Sequence, residues 1–262
     1  MSVALTNACD LSCAFCYAPK SSARLGTEQV CRWLAELDTC GCLGVGFGGG
    51  EPTLHPQFAD ICRFAATETG LAVTFTTHAH RLDDRVAAAI SGSVHFVRVS
   101  MDGVGRTYEA VRGRSFNALR SRLGVVRQLA RFGLNVVVNR RTLPDLDAVA
   151  GVATESGAAE LLLLPERPVR GAGGIDPATQ ALLAGWVDAY RGPVPVTVSA
   201  AGAAGLPTCD PLAGEGGLGG FAHIDASGVL KRSSFHADGV PIGAGGVMQA
   251  LTQLRNLAEC RP

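Results

Sequence analysis

Asn7-Ala8-Cys9-Asp10-Leu11-Ser12-Cys13-Ala14-Phe15-Cys16-Tyr17 follows directly on a short apolar run, Val3-Ala4-Leu5. Three cysteines spaced C-x3-C-x2-C form a metal-ligand pattern with one ligand missing. A structural zinc site closes with four protein ligands, and no fourth Cys or His lies nearby in the sequence. A [4Fe–4S] cluster also normally takes four thiolates. Three thiolates leave one iron with an open position, where an exogenous ligand can bind and be reduced. Three buried structural cysteines, or part of a zinc site, are the alternatives that spacing alone leaves open.

Strand and helix signals alternate from this loop onward. Residues 3–6 read as a strand and 27–37 as a helix, with Val30, Leu34 and Leu37 on one stripe. A strand over 43–47 runs into Gly48-Gly49-Gly50-Glu51-Pro52. Further helices are expected over 57–68, 82–90, after a cap at Ser115, and over 145–155. Further strands are expected over 71–76, 95–100, 134–139 and 160–164. Such units with short connections fit parallel strands joined by crossover helices. The runs Val136-Val137-Val138 and Leu161-Leu162-Leu163-Leu164 fit a sheet buried on both faces. The expected fold class is α/β, a partial (β/α)6 barrel of parallel strands, open or closed, over residues 1–164. Residues 165–262 are expected to form a small α+β extension. It holds a helix over 177–190, a strand over 193–199, a loop over 201–220, a hairpin around Asp225-Ala226-Ser227-Gly228 and a helix over 246–257. In parallel barrels the functional groups gather at the C-terminal strand ends, where the cysteine and glycine runs fall.

The 262 residues are 47% hydrophobic, enough for one large core. With 23 basic and 23 acidic residues, no basic face is advertised, and nucleic acid is not an expected partner. No apolar run is long enough for a membrane span, and residues 1–20 lack a secretory signal. Cysteines crowded at 9, 13 and 16 without such a signal favour a reducing cytoplasm and metal ligation over disulfides.

Gly49-Gly50-Glu51-Pro52 pairs glycines, which let a backbone approach closely, with a carboxylate that can accept from an ammonium group. With the cysteine triplet and the aromatic Phe15 before its third member, residues 3–164 resemble the radical S-adenosylmethionine (radical SAM) enzymes. The nearest branch is the one with SPASM or twitch C-terminal regions. That resemblance implies that Cys9, Cys13 and Cys16 bind three irons of a [4Fe–4S] cluster. The amine and carboxylate of S-adenosylmethionine (SAM) chelate the fourth. An electron then cleaves the sulfonium, and a 5′-deoxyadenosyl radical removes a hydrogen from a C–H bond. Gly49, Gly50 and Glu51 are implied to contact the cofactor's amino group, and Phe15 belongs to the same cofactor set. Ser100, in Ser100-Met101-Asp102-Gly103, is implied to contact its ribose or carboxylate. Asn139 and Arg141 are expected to hydrogen-bond cofactor or substrate.

Three weaker catalytic candidates are Asp102, His78 and Cys209. Asp102 otherwise reads as a turn-forming Asp-Gly. His78 and His80, on a segment where many relatives carry Thr-Asn-Gly, are expected to be extended and to point the same way. Their alternative is a pair of solvated loop histidines. Cys209 is a candidate hydrogen-atom donor. Ser233-Ser234 stand where the family has a cysteine after the hairpin, and Cys209 with Cys260 cannot hold a second cluster, so one cluster is expected. The expected substrate is a small metabolite or short peptide in a biosynthetic pathway. The alternatives are a ribosomal-peptide-modifying enzyme (epimerase or crosslinker) and a non-catalytic iron–sulfur regulator. Cys9 comes almost immediately, which disfavours a dedicated leader-peptide module. An electron donor such as flavodoxin or ferredoxin is implied.

Overall fold

The computed structural model describes residues 1–169, 173–208 and 217–259. Cys209 and Cys260 lie outside the described residues. The run Val3-Ala4-Leu5 is buried and forms the core of β1 (Ser2–Thr6). Then follow α1 (Thr27–Thr39), β2 (Gly44–Gly49), α2 (Phe58–Glu68), β3 (Ala72–Thr77), α3 (Asp84–Ala89), β4 (Phe96–Ser100), α4 (Gly105–Arg112) and α5 (Phe116–Leu129). Next come β5 (Arg131–Val138), α6 (Leu146–Ser156), β6 (Leu161–Pro165), α7 (Pro177–Ala189) and β7 (Val196–Val198). The described chain closes with β8 (His223–Ile224), β9 (Val229–Lys231), β10 (Val240–Pro241) and α8 (Gly246–Glu259).

These strands share one sheet, ordered β10-β9-β8-β1-β2-β3-β4-β5-β6-β7. All pairs from β8 across to β7 are parallel, and β9 and β10 add an antiparallel margin. Among the described residues no pairing joins β7 to β10, so this sheet is open. Both sides of the expected boundary at residue 164 contribute strands to it. Helices bury one stripe each against the sheet: Val30, Trp33, Leu34 and Leu37 from α1, and Phe58, Ile61, Cys62 and Ala65 from α2. Each large apolar side chain so buried stabilises the fold by about 2 kcal/mol. Ser115 caps α5, its Oγ accepting from the Ala118 N–H at 3.3 Å.

Two expectations need correction. The segment after Asp102-Gly103 folds as α4, which the sequence pattern does not announce because Tyr108 is its one buried residue. Strand β5 begins at Arg131 and stops at Val138, so Asn139 falls just beyond it. The early start is possible because Gly133 leaves room for Glu160, whose Cγ lies 2.6 Å from where a Cβ would stand.

The last strands and helix are tied back to the first units. Glu36 on α1 accepts from the N–H groups of Val247 and Met248 at 2.8 and 2.9 Å, capping α8 with a charge that suits a helix N-terminus. No helix of the described residues is long and apolar enough to cross a membrane. At the β8–β1 seam, buried His223 sits with Nδ1 3.1 Å from Ser2 Oγ. Burial pushes its imidazole down to about 4; Asp225 works against that shift and Lys231 adds to it.

The unfolded chain takes up a proton at His223 near pH 6.5, whereas the fold resists it until about 4. Stability is therefore full above pH 6.5 and falls as pH drops toward 4, by up to about 3 kcal/mol. Urea denaturation of wild type and His223→Leu across this range checks it. The wild-type curve should fall more steeply; parallel curves would exclude His223 as the cause.

Candidate active site

The glycines after β2 are held against the start of the cysteine loop, backbone on backbone. Gly50 N–H donates to Thr6 O at 2.7 Å and Glu51 N–H to Ala8 O at 2.8 Å. A Cβ on Gly49 would stand 2.2 Å from Thr6 O, and one on Gly50 2.2 Å from Ala8 O. Gly49 also has φ +115, a conformation that favours glycine. The glycines thus also let the backbone approach Thr6 and Ala8, at the entry to the cysteine loop.

Glu51 is 1% exposed. Its Oε1 accepts from Thr53 N–H at 3.2 Å, Thr53 Oγ1 at 2.6 Å and Thr77 Oγ1 at 2.8 Å, and its Oε2 from His78 N–H at 3.0 Å. Internal donors from the ends of β2 and β3 therefore surround the carboxylate.

His78 and His80 depart from the expectation. Strand β3 ends at Thr77, and Ala79 between the histidines has φ 63, in the left-handed region where a glycine is at ease. Their rings lie 5.5 Å apart but meet different partners. His78 is buried, with Nε2 2.9 Å from Asp10 Oδ1 and 3.3 Å from Glu51 Oε2, while its Nδ1 accepts from His80 N–H at 3.1 Å. His80 Nε2 meets Tyr108 Oη at 2.8 Å. Neither is a solvated loop histidine. Burial pushes His80 down to about 4, with the charge of His78 in the same direction, so it is neutral at pH 7.

The cysteine loop is gripped from several sides. Cys9, Cys13 and Cys16 are half-buried free thiols. Ligand atoms of Cys9, Asp10 and His78 lie within 4.8 Å of one another. Asp10 Oδ2 pairs with Arg81 Nε and Arg114 NH2, both at 3.1 Å. Burial works to raise the Asp10 pKa, but the hydrogen bond and charge of His78, a backbone hydrogen bond and the Arg81 charge together hold the carboxyl low. Burial raises the Cys13 thiol, with the Arg112 charge opposing. Tyr17, just past Cys16, packs its ring 4.3 Å from that of Phe235, which follows Ser233-Ser234. Arg167 lies 4.1 Å over the Phe235 ring.

Asp102 is fully buried at the end of β4. Its Oδ1 accepts from Val137 N–H at 2.6 Å, and its Oδ2 is ion-paired with Arg112 NH2. Ser100, half-buried beside Asn135 of β5, makes no side-chain hydrogen bond among the described residues. Asn139 organises a turn, its Oδ1 accepting from Arg141 N–H at 2.8 Å and its Nδ2 donating to Glu166 at 2.6 Å.

A cavity of about 1210 Å³ opens between two walls. One wall is Cys13, Phe15 and Cys16 with Ala110 and Val111 of α4; the other is Asn139, Arg141, Glu166 and Asp176. Gly49, Gly50, Glu51 and Ser100 are not part of this lining. Asp10, Thr77, Tyr108 and Arg112 escaped the sequence reading. Only Asp10, adjacent to Cys9, carried a signal there.

The model of the radical SAM superfamily matches residues 3–145. A mycofactocin maturase, MftC of Mycobacterium ulcerans, is 33% identical over 164 residues, 59% of this chain and 44% of that protein. A PqqA peptide cyclase of Rhodopseudomonas palustris is 33% identical over 140 residues, 52% of this chain and 37% of that one. The match takes in less than half the length of these curated relatives. The solved structure of native anSMEcpe with bound AdoMet and Kp18Cys peptide superposes with a TM-score of 0.73 at 15% identity. It covers 99% of this chain and 82% of that one, a likeness of fold.

Removing the Glu51 carboxylate strands buried donors. Glu51→Ala should lower the stability of the metal-free protein by about 2–4 kcal/mol, and Glu51→Gln by less. Urea denaturation measures both. A Glu51→Ala variant within about 0.5 kcal/mol of wild type would mean that the carboxylate is no structural tie.

Proposed function

The chain belongs to the radical SAM superfamily, and we propose that within it the protein modifies a peptide at a carbon–hydrogen bond. The family's members are enzymes that use a [4Fe–4S] cluster and SAM. In this reading Cys9, Cys13 and Cys16 hold the single cluster. The donor set suits it: three free thiols on one loop, none in a disulfide. When bound, the cluster and SAM together supply the one-electron cleavage and the hydrogen abstraction.

The chain supplies position and dryness. Gly49, Gly50 and Glu51 serve the amino end of SAM, with the Glu51 side chain anchoring their backbone. Ser100 and Asn139 take its ribose or carboxylate, and Phe15 closes the apolar side. Arg141 offers a guanidinium to a carboxylate of cofactor or substrate. Ala110, Val111 and Phe15 make the thiol wall apolar, which keeps water from a reactive intermediate.

The observation that carries the peptide reading is the cavity. Its volume of about 1210 Å³ exceeds the roughly 300–1,000 Å³ of a pocket for one drug-sized ligand. A substrate segment longer than one small molecule therefore has room beside Cys13 and Cys16. The names of the relatives, a maturase and a peptide cyclase, support the same class. The electron comes from a low-potential carrier such as flavodoxin or ferredoxin, and a reducing cytoplasm keeps the thiols free.

Anaerobic reconstitution should load about four irons per chain, and Cys13→Ala should lose the cluster's absorbance. With dithionite the loaded protein should form 5′-deoxyadenosine, and short peptides should stimulate it above the rate without substrate. No 5′-deoxyadenosine from a fully loaded protein would end the enzyme reading. About eight irons would refute the single cluster. Stimulation by small metabolites alone would move the substrate away from peptides.

A further inference from the structure

Asp102 and Arg112 form a buried ion pair that packing alone does not account for. Asp102 is fully buried, and the Arg112 side chain is 11% exposed. Arg112 is the last residue of α4, which Gly113 ends in a left-handed conformation at φ 65. Its guanidinium meets three different groups. NH2 pairs with Asp102 Oδ2. The plane lies over the Phe15 ring, with Cζ 5.4 Å from the centroid. NH1 points at Cys13, 3.6 Å from Sγ, within hydrogen-bond reach of a sulfur. The buried Nε has no partner.

This arrangement distinguishes Cys13 from its two neighbours. Cys9 Sγ accepts from a backbone amide, that of Leu11, at 3.5 Å. Among the described residues neither Cys9 nor Cys16 receives a charged side-chain donor, whereas Cys13 does. An arginine does not lose its proton in a protein, so the donor is permanent. Burial excludes the water that would weaken the contact. The carboxylate of Asp102 fixes the fork, because Oδ2 takes NH2 while Oδ1 is anchored to Val137 N–H on β5. Rotation of the guanidinium away from Cys13 would break the pair and leave a buried charge unmet, at a cost several times that of an ordinary hydrogen bond.

We propose that Arg112, locked by Asp102, is a positioning residue that holds Cys13 and raises the reduction potential of the iron–sulfur cluster on this loop. The inference rests on the assignment of Cys9, Cys13 and Cys16 to one cluster. The physical cause is simple. A hydrogen bond from a cation draws electron density from the thiolate sulfur, and hydrogen bonds to sulfur are one of the terms that set cluster potentials. The reduced cluster carries one more negative charge than the oxidised one, so a fixed cation beside it favours reduction. Asp102 acts in the opposite sense through its charge, while keeping the arginine in place.

The test uses the full chain, reconstituted anaerobically, as wild type, Arg112→Lys, Arg112→Met and Asp102→Asn. Iron and sulfide content come first, then a potentiometric titration followed by electron paramagnetic resonance of the reduced cluster. Arg112→Met should shift the midpoint potential downward, and Arg112→Lys, which keeps the charge without the fork, should recover part of the shift. A merely structural pair would lower cluster loading in both Arg112→Met and Asp102→Asn and leave the potential of the loaded fraction unmoved. A fully loaded Arg112→Met with the wild-type potential overturns the inference. Should Arg112→Met fail to load, Arg112→Lys decides: a potential below that of wild type supports the inference, and the wild-type potential overturns it. A wild-type protein that takes up no iron sinks the cluster assignment and this inference with it, whereas a loaded wild type with unmoved variants sinks this inference alone.

Discussion

The buried carboxylate of Glu51 is the interaction on which the site depends. An isolated ionised carboxylate away from water costs several kcal/mol unless hydrogen bonds replace its hydration. Here they come from Thr53, Thr77 and the His78 amide, so one side chain ties the end of β2 to the end of β3. His78 carries the tie onward to Asp10, and Asp10 is fixed by Arg81 and Arg114. The cysteine loop is thereby placed by groups far from it in sequence. This network tolerates no side chain at Gly49 or Gly50, because the backbone of that run lies against Thr6 and Ala8. The GGEP pattern is thus a packing requirement of this chain as well as a family mark.

The alternation of strands and helices was legible because it rests on period and burial. Helices α1, α2 and α5 bury apolar stripes, and β5 and β6 read as continuous apolar runs, so local pattern and tertiary environment agree. Helix α4 was not legible because its stability comes from contacts made by polar groups. Arg112 meets Asp102, and Glu109 accepts from Phe116 N–H at 3.1 Å. The motif residues were found by chemistry and spacing, but not what their side chains do. A carboxylate in Gly-Gly-Glu-Pro announces an acceptor without saying whether its donors are internal. Of His78 and His80 only the backbone was misread: the left-handed Ala79 between them breaks the extended geometry, although their rings remain 5.5 Å apart. Arg112 lies 99 residues from Cys13, and no local signal spans that distance.

The C-terminal segments act on the site through the sheet. Strand β8 pairs parallel with β1, the strand that feeds the cysteine loop, and Glu36 fastens α8 to α1. The turn after β9 brings Phe235 onto Tyr17. Residues 217–259 therefore brace the same loop that β2 and β3 brace from the other side. Where a second cluster's cysteine was expected in relatives, Ser233 instead bonds His236 Nδ1 at 2.8 Å. The turn is held by ordinary hydrogen bonds and an aromatic contact.

Charge balance explains why these braces take the form they do. The chain is neutral overall, with 23 charges of each sign, so whatever fields act on the loop are local. Three cysteines that must become thiolates to bind metal crowd onto eight residues and would then repel a nearby carboxylate, yet Asp10, Glu51 and Asp102 all stand close to the loop. Each is met by a different set of groups: Asp10 by buried His78 and two half-exposed arginines, Asp102 by one buried arginine, and Glu51 by hydroxyl and amide donors with His78 Nε2 3.3 Å away. The exposed pairs at Asp10 are screened by water and salt and contribute little individually. The Asp102–Arg112 pair is buried and so escapes that screening, and its influence survives at physiological ionic strength. Placing that cation against a single cysteine makes the three sulfurs inequivalent before any metal binds.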